Sequence, residues 1–293
     1  MGDFHGEPTR TLENQFVQLE YLANSARIVR FSLKGKDNLF ADLGLTPIQT
    51  PYGNFYFRGG HRLWHAPEAM PRTYIPDNEG GDVNEIPNGV RIDMPVEPWT
   101  NMAKSMEIRL NPDQPQVILR HELRNAGPWT VKLAPWALTM FRQGGVAIFP
   151  QPTGNVDETG LLPNRQITLW PYASLGDLRL SLRDDFILLR ADPKLPPFKF
   201  GYLSKQDWCA YWLDNILFVK RFDIPNGSER YPDGGCNVES YCNDQFIELE
   251  TLGPLTTLEP GDAIFHNETW EVYTELIPDL IPPEIQEIIT NNK

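Results

Sequence analysis

Apolar and polar residues alternate in short runs along most of the chain, and glycine, proline and asparagine fall between the runs. That is the rhythm of strands and turns, because a side-chain period of two gives each strand one apolar face. "FVQLEYL" and "ARIVRFSL" predict two opening strands, followed by a turn at "KGKDN". In "SMEIRL" residues Met106, Ile108 and Leu110 share a face, and "NPDQPQ" reads as the turn of a hairpin. The returning run "VILRHEL" sets Val117, Leu119, His121 and Leu123 on one face, so a histidine points inward with apolar neighbours. "NAGP" turns the chain into "WTVKLAPWALTMF", and "NILFVKRF" and "QFIELETL" continue the pattern. "LEPGDAIFHNETWEVYTEL" predicts a turn at Pro260 and Gly261 leading into further strands. Only the tail "PPEIQEIIT" carries a helix signature, with a proline start, early acids and isoleucines at 285, 288 and 289. With no repeat, linker or composition break, the expectation is a single all-β domain over residues 1–293, ending in a short C-terminal helix.

Charge and cysteine usage narrow the function. The formal charge is −13 with no basic block, which argues against nucleic acid and anionic membranes as partners. The opening "MGDFHGEPTRTLENQ" has no apolar signal segment, and the expectation is a cytoplasmic protein. Cys209, Cys236 and Cys242 are odd in number and lack CxxC spacing, as expected of reduced, packed thiols. The sequons at Asn226 and Asn267 then read as chance matches.

Three stretches carry candidate chemistry. "RGGHRLWHAPE" holds His61 and His65 at i,i+4, which on a helix would set both rings toward one metal. The flanking "GG" and "AP" disfavour a helix and the glutamate of HExxH is absent, so no metal or cofactor is expected. The stretch reads instead as a ligand loop, where Gly59 and Gly60 admit a close approach and Arg58, Arg62 and His65 offer donors. Its structural alternative is an arginine paired to Glu68 in a turn. In "QFIELETLGPL" Phe246, Glu248 and Glu250 project together, away from Ile247 and Leu249. In a dry site two such carboxylates raise each other's pKa and one suits general base work; on a solvated face they do nothing special. "NGSERYPDGGCNVESYCND" is a long polar insertion holding Asp233 and Glu239, without the acid spacing of an EF-hand. Tryptophans close to polar groups, Trp64 and Trp136 among them, can form platforms for sugars or pack a core.

These runs together resemble the galactose mutarotase-like, or aldose 1-epimerase-like, superfamily over most of the chain. "FVQLEYLANSARIVRFSLKGKDNLFADL" is similar to its opening strands, and "YFRGGHRLWHAPE" to the "RGG" segment of the hexose-phosphate 1-epimerase branch. "VILRHELRNAGPWTVKLAPWALTMF" resembles its strand, asparagine turn and strand, and "IELETLGPLTTLEPGDAIFHNETWEVY" its C-terminal glutamate strand and final strand. "GGHRLWHAPE" with "YPDGG" and "ELETLGPL" looks like a domain-of-unknown-function branch of that superfamily. The resemblance implies an antiparallel β-supersandwich that binds a small-molecule carbohydrate in a groove on one sheet.

It also implies roles. In active members a glutamate deprotonates the anomeric hydroxyl while a histidine protonates the ring oxygen, and the ring opens, rotates and recloses. The glutamate maps onto Glu250 with Glu248 beside it, and the arginine of "RGG" onto Arg58. The family's two histidines have no counterparts in "EIPNGVRIDMP" and "APWALTMF", which leaves His121 and His65 as candidate replacement acids. Arg58, Arg62, Trp64, Trp136, Asp233, Glu239 and Glu248 are the expected substrate contacts. Two further functions stay open: a sugar-binding protein without the acid, and a glycoside-cleaving enzyme whose carboxylates would stand about 5 to 9.5 Å apart.

Overall fold

Aromatic and aliphatic residues at every second position fold into strands that stack as two antiparallel sheets. The structure, a computed structural model, describes residues 2–225 and 230–274. The expected C-terminal helix and the sequon at Asn226 lie outside the described residues, among which the single 3-10 turn Arg72–Tyr74 is the one helical element. The first sheet begins with Gly2–Phe4, Glu7–Glu13, Val17–Leu22 and Ile28–Leu33. It continues through Gly53–Ala66, Val131–Arg142, Phe246–Leu252, Val238–Cys242, Phe198–Tyr202 and Ile167–Leu169. Asp42–Thr50 pairs with Gly53–Ala66, and Thr256–Leu258 with Val131–Arg142, off this path. The second sheet runs Leu180–Leu182, Phe186–Arg190, Val146–Pro150, Trp208–Leu213 and Ile216–Phe222. It closes with Ala263–Tyr273, Gln116–Asn125, Met102–Leu110, Gly89–Asp93 and Asp82–Ile86. This is the all-β chain that the alternation predicts, stacked as the sandwich that the resemblance implies, and the hairpin turn at "NPDQPQ" falls where expected.

The main core lies between the sheets. Ile247 and Leu249 of the glutamate strand join Phe31, Phe141, Phe218 and Trp270 there. Phe31 and Phe40 meet the Trp270 ring edge-on at 5.8 and 5.6 Å, and each such pair adds about 0.5–1.5 kcal/mol beyond area burial. Because that face of the glutamate strand is apolar, its other face carries Phe246, Glu248, Glu250 and Leu252 on the far side of the first sheet.

One expectation needs correction. In "RGGHRLWHAPE" residues Arg58 to Ala66 are not a loop but the second half of strand Gly53–Ala66, at the centre of the first sheet. The glycines serve the strand itself. At Gly59 (φ +90°) an added Cβ would stand 1.9 Å from the Ala41 carbonyl oxygen, and at Gly60 (φ +63°) 2.0 Å from that of Ile28. They admit a neighbouring backbone, not a ligand. With Arg58 also left-handed (φ +61°), alternation resumes after the kink: Arg62 and Trp64 face outward, and His61 turns toward the second sheet, where it meets His121.

Candidate functional site

On the outer face of the first sheet lies a cavity of about 620 Å³. Register builds its floor. Trp136 stands between Trp64 and Leu252, Leu138 between Arg62 and Glu250, and Met140 between Gly60 and Glu248. Glu250 in turn faces Glu239 on the next strand. Charge therefore occupies the middle of the face, with the tryptophans at one end and Phe246 at the other.

Two cations hold the carboxylates. Arg62 donates from Nη2 to Glu248 Oε1 at 3.1 Å, and its guanidinium stacks 4.2 Å from the Trp64 ring centre. Lys199 sits on Phe198–Tyr202, whose Phe198 and Phe200 enter the core, so the lysine takes the opposite face. Its Nζ lies 2.8 Å from Glu239 Oε2 and donates to Glu250 Oε2 at 2.9 Å, over the Trp136 and Trp170 rings. Trp136 Nε1 donates to the same Glu250 oxygen at 2.9 Å. Burial, then the neighbouring Glu250 charge, push the Glu248 carboxyl up to about 7, against the pull of Arg62. Burial also pushes Glu239 up to about 8, Glu250 adding to it and Lys199 opposing. Lys199 is held well above its ordinary value because the two glutamates outweigh its desolvation.

The structure separates the expected site residues into three groups. Arg62, Trp64, Trp136 and Glu248 line the cavity. Glu250 and Glu239 are fully buried behind that wall, reached through Lys199, and Asp233 interacts with Glu239 from the polar insertion. Arg58, His65 and His121 lie elsewhere. Arg58 is fully buried, with Nε and Nη2 on the Glu7 carboxylate at 2.6 Å each and a further bond to Asn78. That pairing replaces both the ligand contact and the turn with Glu68. His65 is buried 3.7 Å from Glu97, too far for a hydrogen bond, and burial lowers its pKa. His121 is between the sheets, and no histidine lines the cavity among the described residues.

Sequence reading missed two features. Lys199, Tyr74, Tyr172 and Tyr241 complete the cavity wall, and the lone lysine in "FKFGY" was the one readable signal. The second is a buried polar chain between the sheets. His121 Nδ1 donates to the His266 carbonyl at 2.9 Å, so its Nε2 accepts from His61 Nε2 at 2.8 Å, and His61 Nδ1 accepts from Thr139 Oγ1 at 2.8 Å. Thr251 Oγ1 donates to Glu268 Oε1 at 2.6 Å and so accepts from His266 Nε2 at 2.7 Å. Ligand atoms of His61, His121 and Glu268 lie within 4.8 Å of one another. Each is already satisfied by the protein, and Lys220 Nζ stands 3.0 Å from Glu268 as its cation. The cluster therefore reads as an internal network joining the sheets.

No family model matches the chain, and no curated protein sequence matches it significantly. Solved structures do. A galactose mutarotase-like protein from Lactobacillus casei superposes with a TM-score of 0.60 at 12% identity, over 91% of this chain and 100% of that one. A putative aldose 1-epimerase from Escherichia coli K12 gives 0.56 at 12% identity, over 92% and 99%. A TPR-domain containing protein from Parabacteroides distasonis gives 0.63 at 13% identity, and there 92% of this chain spans 48% of the longer protein. Over nearly its whole length, the chain has the fold of the galactose mutarotase-like proteins.

Proposed function

We propose that the protein binds a carbohydrate in the cavity of the first sheet and interconverts its anomers. One observation carries the reading: Glu248, a carboxyl raised to about 7, stands at the wall of an aromatic-lined cavity beside two cations. Aromatic walls with a few converging polar groups suit sugar rings, and a pKa near neutrality suits a group that must take and return a proton. The structural neighbours, named as mutarotase-like and aldose 1-epimerase proteins, agree with it.

In this reading Glu248 accepts the anomeric hydroxyl proton as C1–O1 becomes a carbonyl and the C1–O5 bond breaks. The ring oxygen takes a proton from Lys199, whose ammonium carries three protons against two carboxylate partners. Rotation about C1–C2 and the reverse transfers give the other anomer and restore both groups. Glu250 and Glu239 hold Lys199 in place and charged. A second reading, binding without turnover, draws on the absence of any histidine from the cavity wall among the described residues.

Exchange of α and β anomers, followed by NMR over a hexose and hexose-phosphate panel, tests the proposal. Exchange is expected above the buffer rate, rising with pH through about 7 as Glu248 ionises. Glu248→Gln is expected to lower it by about 10²–10⁴-fold while sugar still binds. Binding with exchange equal to buffer for every sugar would leave the binding protein, and no binding at all would refute both readings.

A further inference from the structure

We infer that the outer face of the second sheet is an interaction surface, and that its partner is the chain's own C-terminal segment, residues 275–293. The first ground is the pattern of the strands. Ala147, Phe149, Ile187, Leu189, Tyr211 and Phe218 enter the core between the sheets. The residues that alternate with them, Ile148, Phe186, Leu188, Trp208, Leu217 and Val219, project outward, where a solvated strand carries polar groups. With Val146 and Ala210 they form one apolar cluster across four neighbouring strands.

The second ground is burial. A bare sheet face stands in water, yet these six outward side chains are only 0 to 6% exposed, and Trp212 Nε1 at the cluster's edge is shut from water too. Among the described residues, the partly buried hydrophobics packed against the cluster are Trp212 and Tyr273, and both extend the face rather than cross it. Beyond the described residues stand Met1, next to the edge strand of the first sheet, "NGSE", which has no apolar side chain, and the last nineteen residues. The third ground is where the chain leads. Tyr273, ending the last strand, pairs with Leu217 and packs against the cluster. One residue later "ELIPDLIPPEIQEIITNNK" begins, with Leu276, Leu280 and Ile281 ahead of Ile285, Ile288 and Ile289 at helical spacing. At about 4.8 Å per strand, Leu188 lies about 14 Å across the face from Leu217. Residues 274–284 can span about 36 Å when extended, so the isoleucines reach all of it. The segment is acidic, with Glu275, Asp279, Glu284 and Glu287 against Lys293, and Arg190 stands exposed beside Val146 at the edge of the face.

A single thiol on the face tests this in the full chain. Val219→Cys changes the volume little, and the native Cys209, Cys236 and Cys242 are buried away from the cluster. With the segment unaltered, the Val219→Cys thiol is expected to resist a thiol reagent. Ile288→Asp together with Ile289→Asp should speed its modification at least about tenfold by opening the face locally, and Ile288→Leu should leave it protected. If the aspartates release the native thiols as well, Ile288→Ala decides. The Val219→Cys thiol should then react ahead of the other three, and release of all four together overturns the inference. A thiol that reacts freely beside an unaltered segment marks a face left open for another protein. Protection that survives the aspartates assigns the cover to another element, and protection seen only at concentrations where the chain dimerises in sedimentation assigns it to a second copy. Each of these three results overturns the inference.

Discussion

At the scale of single residues, the site turns on a distinction the sequence does not make. Period two puts Glu248 and Glu250 on one face, and that was legible. Which of them meets the cavity depends on Trp136 and Lys199, which arrive from strands far away in sequence and seal Glu250 with hydrogen bonds. Trp136→Phe keeps most of the ring and removes only the indole donor. Glu250 Oε1 is already buried without a partner, so the variant leaves the carboxylate still poorer in donors. A loss of about 1–3 kcal/mol is expected in urea unfolding, the usual cost of stranding a buried polar group. An unchanged midpoint would show that this bond does not hold Glu250. Arg58 teaches the converse lesson. Its type and its place in "RGG" suggested a ligand contact, yet Glu7, 51 residues earlier, claims its guanidinium, and no local pattern announces so distant a partner.

At the scale of elements, the strands were legible wherever alternation was unbroken, as in Met102–Leu110 and Gln116–Asn125. Strand Gly53–Ala66 was misread because its glycines signal a turn in a local reading. Their purpose, clearance for the Ala41 and Ile28 carbonyls, exists only after the sheet has assembled. Gly60→Ala should therefore destabilise strongly. It pays about 1 kcal/mol or more for the left-handed backbone and adds a clash with main chain that cannot swing aside. Because Gly60 lies two residues from Arg62 and pairs with Met140, displacement of the strand should also weaken the proposed sugar binding. Thermal unfolding and calorimetry of this variant check both, and native-like stability would show that the strand can shift without cost.

At the scale of the whole molecule, the same sandwich buries two kinds of titratable group with opposite consequences. His61, His65, His121 and His266 all have pKa values lowered by burial, His266 to about 3, and each is neutral in the native protein. Below their ordinary value of about 6.5 the unfolded chain binds protons that the native state refuses, so their contribution is full above that pH and lost as pH falls. Asp233, Glu239 and Glu248 have raised values, Glu248 to about 7 and Glu239 to about 8. They keep protons that the unfolded chain releases from about pH 4.5, so their contribution is full at low pH and lost as pH rises. Each proton tilts stability by about 1.4 kcal/mol per pH unit where only one state is protonated. Below about pH 6.5 the two groups pull stability in opposite directions; above it the histidines fall silent and Glu248 and Glu239, raised to about 7 and 8, bring it down. Urea midpoints measured between pH 5 and 8 should therefore fall as pH rises above about 6.5. Glu239→Gln removes one of the carboxyl protons, so it should flatten that fall and tilt the acid limb toward rising with pH. A midpoint that rises steadily to pH 8 would mean that Glu239 and Glu248 ionise as ordinary carboxylates, and the cavity would then lack the near-neutral acid on which its proposed chemistry depends.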